Sequence, residues 1–264
     1  MILVKAAPVL TSRLEETMCV AAMSLGPDPE WIRLHPVPFR DLQENTKFRK
    51  YQEIEATVIR SRTDRRPESW TPLDGSIRIG DFIGTGHSWS TRRERVAGLG
   101  EAAMCDLVEA NRSGSGPGTA SLAVVRTVRR PELLITERDQ EQLDKWRQRA
   151  VAIKARPSLF DHPTNVKPDF EVVPWRFRYA YNCVAPDCQG HKQTIVDWEI
   201  VAFWRRIRHH IDWQDRMRAK FVDELWADGR ETVLFVGNQE QHPHSFLVLG
   251  IFWPPSEPIQ ASLL

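Results

Sequence analysis

Hydrophobic and polar positions alternate along the first third of the chain in a way that predicts β-strands. Apolar and β-branched runs recur there between turn-forming residues, of which Gly26, Pro27, Asp28 and Pro29 form the clearest group. The predicted strands cover residues 2–4, 17–24, 31–37, 53–60 and 77–85. We expect the first four to form a small antiparallel sheet or barrel.

A helical period replaces this alternation after residue 89, where apolar residues recur every three to four positions from Val96 to Val108. The pattern predicts a helix over 89–111, although Gly98 and Gly100 interrupt it. The segment from Ser113 to Gly118 that follows has the composition of a flexible linker. We place a domain boundary in this Gly/Ser-rich linker.

The remaining sequence mixes both periods. Strands are predicted at residues 120–128, 132–136, 171–184, 232–237 and 246–253, and helices at 139–155, 198–210 and 213–227. The sequence therefore predicts an α+β protein with two β-rich halves, residues 1–118 and 119–264, each with helices attached.

Composition narrows the possible partners. The 264 residues include 36 basic and 35 acidic side chains, which gives a formal charge of +1, so any nucleic-acid surface must be a local patch. No apolar run approaches the roughly 20 residues that span a bilayer, and no secretory signal opens the chain. We expect a cytoplasmic protein that makes no contact with membranes.

A short Cys/His cluster is the strongest chemical motif. Cys183 and Cys188 flank a turn-forming Pro186-Asp187 pair, and His191 follows three residues after Cys188. Thiolate and imidazole ligands brought together by a short turn are typical of tetrahedral zinc. The cluster predicts a zinc site, while the alternative is two free thiols at the end of a strand.

A fourth zinc ligand must come from elsewhere in the fold. His244 and His242 are the preferred candidates, followed by Cys105 and Cys19 and then by water. Four protein ligands would make the metal structural, whereas a bound water would leave it a catalytic position.

Two carboxylates follow the cluster, where a strand gives way to a helix. Asp197 and Glu199 could act as a general base or as ligands of a divalent cation, and His242 in a polar turn is a third candidate proton carrier. For Asp197 the favoured interpretation is a helix N-cap. A restriction-type nuclease core would place a lysine two residues after Glu199, and the chain has Val201 there.

Arginine is concentrated in short clusters that carry tryptophan nearby. Guanidinium groups bind phosphates and aromatic rings stack on unpaired bases, so this mixture favours a nucleic-acid surface. The residues singled out are Arg92, Arg93, Arg205, Arg206 and Arg208. The alternative is a set of solvated or paired side chains on helix faces.

Three segments together resemble an uncharacterised family of bacterial proteins associated with DNA-modification and defence gene neighbourhoods. They are Trp31-Ile-Arg-Leu-His-Pro-Val-Pro-Phe-Arg40, the stretch from Cys183 to Glu199, and Phe235-Val-Gly-Asn238 with His242 before a strand ending in Pro254-Pro255. The resemblance spans nearly the whole chain. It implies a nucleic-acid context and assigns no catalytic residue.

These observations favour a zinc-containing, nucleic-acid-interacting protein of bacterial DNA metabolism, DNA modification or defence. DNA is favoured over RNA as its partner, and other subunits of a defence or modification system are further expected partners. One alternative is a metal-dependent hydrolase acting on nucleic acid or a modified base, with Asp197, Glu199 or His242 carrying a proton. A second alternative is a scaffold subunit that binds another protein.

Overall fold

A computed structural model describes residues 1–7, 9–10, 16–39, 42, 44–62, 64–113, 120–154 and 171–256. It confirms an α+β protein. The strands are β1 (Ile2–Lys5), β2 (Val9–Leu10), β3 (Glu16–Met23), β4 (Trp31–Val37), β5 (Gln52–Glu55), β6 (Val58–Arg60), β7 (Ser69–Pro72), β8 (Arg78–Phe82), β9 (Leu122–Arg126), β10 (Glu132–Glu137), β11 (Trp175–Tyr181), β12 (His191–Thr194), β13 (Val233–Gln239) and β14 (His242–Phe252). The α-helices are α1 (Gly86–Ala97), α2 (Met104–Arg112), α3 (Gln140–Lys154), α4 (Trp198–Ile207) and α5 (Trp213–Arg218).

The N-terminal half is built on a six-stranded sheet. Its order is β1-β3-β4-β7-β6, with β2 paired to β3, and the strands are antiparallel apart from the parallel pair β4 and β7. The predicted strand 53–60 is divided, because β5 leaves this sheet to pair with β8. Among the described residues the sheets are open, and none closes into the barrel considered from the sequence.

The single helix predicted over 89–111 is wrong, because the chain forms two helices there. Helix α1 ends at Ala97, and Gly100 adopts a left-handed conformation with φ +68° that a helix interior does not permit. Glu101 then forms a parallel bridge to Val124, and Ala102 donates a backbone hydrogen bond to Val124 at 2.9 Å. The interrupting glycines therefore mark a true helix end.

The C-terminal half contains two three-stranded sheets, ordered β10-β11-β12 and β14-β13-β9. Helix α4 packs Ile200, Trp204 and Ile207 into the core at a spacing of four and three residues. The predicted helix 213–227 is α5 followed by a π-helical turn, Ala219–Glu224. The predicted strand 171–184 begins only at Trp175.

The two halves share one apolar core. Leu3 and Val4 of β1 lie in the same buried cluster as Phe235, Leu249 and Phe252 of the C-terminal half. The linker predicted at 113–118 lies, apart from its first residue, outside the described residues, so the division into 1–118 and 119–264 stays a prediction. Within the described part of the chain, no helix combines the length and apolar character needed to cross a membrane.

The loop between β6 and β7 is held by a buried carboxylate. Arg66 Nε and Ser69 Oγ each donate to Asp64 at 2.8 Å, and Arg66 Nη1 donates to the carbonyl oxygen of Asn238 at 2.7 Å. Burial would raise the pKa of Asp64, but the hydrogen bonds from Arg66 and Ser69 outweigh it and lower this pKa to about 2. The loop is thereby tied to β13.

We expect the hydrogen-bonded carboxylate of Asp64 to make the free energy of unfolding depend on pH. Because the folded-state pKa of Asp64 is depressed, its contribution is present above the unfolded value of 3.8 and is lost as pH falls towards 2. The free energy of unfolding of Asp64→Asn should lie about 2 kcal/mol below that of the wild type at pH 7, and the two should converge near pH 2. Urea denaturation across this range measures the difference, and an equal gap at both ends would contradict the assignment.

Candidate functional site

Four side chains that could hold a metal ion come together where three elements meet. Cys105 lies in the first turn of α2, Cys183 follows β11 and forms a bridge to Thr127, Cys188 lies in the turn between β11 and β12, and His191 begins β12. Their ligand atoms all lie within 4.8 Å of one another. A Cys3His group that could hold a metal ion is therefore part of the fold.

The separations fit a tetrahedral ion. Cys183 Sγ lies 3.6 Å from Cys105 Sγ, and His191 Nε2 lies 3.3 Å from Cys188 Sγ and 3.5 Å from Cys105 Sγ. Zinc bonds of about 2.3 Å to sulfur and 2.0 Å to nitrogen make tetrahedron edges of roughly 3.5–3.8 Å. A disulfide would require about 2.05 Å between the sulfur atoms, so the 3.6 Å between Cys183 and Cys105 is not a disulfide distance.

The local backbone supports these ligands. The Cys183 backbone N–H donates to Cys188 Sγ at 3.3 Å, and the Cys188 backbone N–H donates to the Ala185 carbonyl oxygen at 3.2 Å, which closes the turn. Gly190 has φ +96°, a conformation that favours glycine and that directs the chain into β12. Burial lowers the pKa of His191, so the imidazole is neutral near pH 7, as a metal ligand must be.

The fourth member of the group differs from the ligand that the sequence favours. Cys183, Cys188 and His191 come together as predicted, and the structure adds Cys105, not His244. His244 is exposed on β14 and lines a neighbouring cavity of about 660 Å³. His242 is exposed at the beginning of the same strand.

The remaining cysteine also lies outside the group. Cys19 is on β3, where Arg33 Nη1 lies 3.6 Å from its sulfur. The one local signal for Cys105 is its position in the first turn of a helix. Burial raises the pKa of its thiol to about 12.

A basic, aromatic cleft of about 620 Å³ lies between the two halves. Its described lining includes the basic side chains Lys5, Arg49, Lys50, Arg92, Arg206 and Lys220. Its aromatic rings belong to Tyr51, Phe82, Trp89, Trp198, Phe203, Phe221 and Trp253. Glu199 is the one carboxylate in this described lining. We refer to this set as the basic cleft.

A buried ion pair joins the two halves at the base of the cleft. Lys50 Nζ lies 3.1 Å from Asp197 Oδ2 and 3.0 Å from Glu199 Oε2. The side chains of Lys50 and Asp197 are 8% and 1% exposed, whereas that of Glu199 is 53% exposed. Asp197 Oδ1 accepts the Glu199 backbone N–H at 3.0 Å, which confirms Asp197 as the N-cap of α4.

Both members of the buried pair are charged at neutral pH. Burial would lower the pKa of Lys50, but Asp197 and Glu199 together raise it above its ordinary value. Burial raises the pKa of Asp197 to about 6, and Lys50 opposes this increase. The chain therefore keeps a salt bridge inside its core, with both charges satisfied by each other.

Helix geometry explains why some predicted residues reach the cleft. Glu199, Phe203 and Arg206 are spaced by four and three residues, so they share one face of α4, beside the buried face. Arg206 stacks on Phe203 with 5.0 Å between the guanidinium and the ring centroid. The sequence indicates Glu199 and Arg206 for separate reasons, and the structure brings them to the same cleft.

Two residues that line the cleft, Tyr51 and Trp89, have strained backbone. Tyr51 has φ +61°, and His87, Ser88 and Trp89 at the start of α1 have φ between +49° and +64°. Left-handed conformations cost roughly 1–2 kcal/mol for each residue other than glycine, and such residues cluster at ligand sites. The result is a stack in which Arg92 lies 3.9 Å from the Tyr51 ring centroid and 4.9 Å from that of Trp89.

The five predicted nucleic-acid-binding arginines separate into two groups. Arg92 and Arg206 line the cleft. Arg93 forms a salt bridge with Glu231, and Arg205 and Arg208 both form salt bridges with Glu171. The cleft also contains four basic residues that were not predicted, and the tertiary fold brings them to α4; they are Lys5, Arg49, Lys50 and Lys220. The signal that could have indicated Arg49 and Lys50 is the basic and aromatic run Lys47-Phe48-Arg49-Lys50-Tyr51.

Family models match both parts of the chain. The model described as Domain of unknown function (DUF8757) covers residues 100–264, and the one described as Domain of unknown function (DUF8758) covers residues 1–98. The chain belongs to the DUF8757 family. This result confirms the expected membership in an uncharacterised family. No curated protein and no solved structure matches the chain.

The DUF8757 region contains the whole metal group, as well as Asp197, Glu199 and Arg206. Lys50, Tyr51 and Arg92 come from the DUF8758 region. The two models meet near residue 99, about twenty residues before the boundary that we predict from the linker. The basic cleft is thus assembled from both matched regions.

Proposed function

We propose that this protein binds nucleic acid, DNA in preference to RNA, in the basic cleft, and that zinc occupies the Cys3His group as a structural ion. The charge and ring composition of the cleft is the observation that carries the proposal. Six basic side chains and one carboxylate line it in a chain whose formal charge is only +1. Cations that hold phosphates beside rings that stack on bases are the two components of single-strand recognition.

Individual contacts support this assignment. Arg49 stacks on Phe82 at 4.2 Å, and Arg206 stacks on Phe203 at 5.0 Å. Among the described residues, neither arginine has a carboxylate at salt-bridge distance. Their guanidinium groups therefore keep donors for phosphate oxygens, since a stacked guanidinium still presents its edge.

The metal is assigned a structural role because the group supplies four protein ligands, three of them sulfur. Such sets are typical of closed zinc sites that stabilise a fold, whereas catalytic zinc keeps a position for water. The proposal accordingly gives zinc no part in chemistry. We propose bacterial DNA modification or defence as the biological setting of this protein.

The double variant Arg49→Ala/Arg206→Ala tests the cleft. We expect it to weaken the binding of a single-stranded oligonucleotide by about tenfold for each arginine. The plot of log K against log salt should become less steep by about 0.7 for each phosphate that the variant can no longer neutralise. Tryptophan fluorescence measures binding, because Trp89, Trp198 and Trp253 line the cleft. Matched DNA and RNA strands test the preference for DNA.

Arg216→Ala is the matched control. Arg216 is an exposed arginine of α5 whose Nε donates to Asp212 at 2.8 Å, and it does not line the cleft. This variant should bind as the wild type does. The proposal fails if the wild type binds neither DNA nor RNA, or if Arg216→Ala weakens binding as much as the cleft variant.

A further inference from the structure

Glu199 is an unexpected residue in a cleft built for anions. Lys50, its partner, is already paired with buried Asp197, so Glu199 is not required to neutralise that lysine. A half-exposed carboxylate would repel a phosphate that approached it. Its place in the cleft therefore suits a part of the ligand that carries hydrogen-bond donors and no negative charge.

The geometry leaves one carboxylate oxygen available. Lys50 Nζ holds Glu199 Oε2 at 3.0 Å, while Oε1 has no hydrogen-bond partner among the described residues. The salt bridge restrains the side chain, and the cap at Asp197 fixes the first turn of the helix that bears it. Oε1 is thus a positioned acceptor beside the ring of Trp198 and the stack of Tyr51, Trp89 and Arg92.

Rings and cations complete a receptor for one nucleotide. The volume of about 620 Å³ falls in the range of small-ligand sites, roughly 300–1,000 Å³, and it is too small for a duplex. A base stacked on the aromatic wall would turn its edge to Glu199, and Arg49 and Arg206 would hold its phosphate. A carboxylate accepts hydrogen bonds from the amino group of cytosine and meets only a carbonyl oxygen at the same position of uracil.

We infer, on the basis of the proposed nucleic-acid function, that the basic cleft receives a single nucleotide of a strand and that Glu199 selects bases with an exocyclic amino group. Cytosine and uracil provide the cleanest comparison, since their rings have the same size and differ only in the groups at positions 3 and 4. Glu199 is the specificity-determining residue in this assignment.

Oligodeoxycytidine and oligodeoxyuridine of equal length test the inference on the wild-type protein. We expect oligodeoxycytidine to bind roughly tenfold more tightly, and dCMP to compete better than dUMP by a similar factor. A ratio near one for the strands overturns the assignment of Glu199, while cleft binding would still support the proposed function. If neither strand binds, the proposed function itself fails.

The variant Glu199→Gln tests whether Glu199 recognises the base or only supports the structure of the cleft. Glutamine offers a donor as well as an acceptor and removes a negative charge from the cleft, so oligodeoxyuridine should bind more tightly than it does to the wild type. The preference for cytosine should fall to about twofold or less. A purely structural effect would weaken both strands equally and leave the ratio unchanged, which would also overturn the inference. Comparison of the melting temperatures of the two proteins verifies that the variant is folded.

Discussion

Replacing Cys105 with serine is expected to release the metal and to lower the free energy of unfolding by about 4 kcal/mol or more. Cys105 is the ligand that connects α2 to the β11–β12 turn, since the other three members of the group lie within nine residues of one another. Losing it leaves three ligands and breaks the metal-mediated link between these distant segments. Zinc content per chain and the thermal unfolding transition are the measurements.

Two matched variants make this result specific. Cys19→Ser removes a cysteine that lies on β3, outside the group, and His244→Ala removes the histidine that sequence analysis preferred as the fourth ligand. Both should retain one zinc ion per chain. If His244→Ala released zinc while Cys105→Ser kept it, the ligand set in the structure would be wrong and the sequence ranking right.

The metal group and the basic cleft are linked by one short strand. β12 begins at His191, a member of the group, and ends at Thr194, three residues before Asp197. Val196 accepts a backbone hydrogen bond from Ala7 at 2.6 Å and donates one to Val248 at 2.8 Å, which fixes this segment against both halves. A metal bound at the start of β12 would therefore also hold the segment that carries Asp197 and Glu199.

Features of the site that depend on neighbouring residues could be predicted from the sequence. Cys183, Cys188 and His191 were found because one turn brings them together, and Asp197 was recognised as an N-cap because a cap depends on adjacent residues. Cys105 ranked below His244 and His242 as the fourth ligand because it lies 78 residues before Cys183. No sequence spacing encodes a distance of that kind.

For the basic cleft, too, the sequence indicates single residues but not which of them lie together in the fold. Arg206 was found as a member of an arginine cluster, but Arg205 and Arg208 in that cluster form salt bridges with Glu171, because they lie on another face of α4. Lys50 is 147 residues from Asp197. It stands in the basic and aromatic run Lys47-Phe48-Arg49-Lys50-Tyr51, but nothing in that run indicates its pairing with Asp197. Alternation predicted most strands, whereas β7 was missed because four residues are too few to show a period.

Replacing Lys50 with methionine is expected to lower the free energy of unfolding by about 3–5 kcal/mol. Methionine keeps most of the length of the side chain but removes the charge that holds Asp197 ionised, so folding must either bury an unpaired carboxylate or protonate it, and both cost stability. The side chain of Asp197 is only 1% exposed, and water cannot replace the missing ammonium group. Urea denaturation at pH 7 measures the loss.

Lys145→Met is the matched control, because Lys145 forms a salt bridge with Glu141 at 2.6 Å on the exposed surface of α3. Exposed pairs of this kind contribute about 0.5 kcal/mol or less. The double variant Lys50→Met/Asp197→Asn then identifies the origin of the loss. Asparagine removes the buried charge and keeps an oxygen for the N-cap, so part of the stability should return. If the double variant were less stable than Lys50→Met, the cost would lie in the packing of Lys50 and not in the stranded carboxylate.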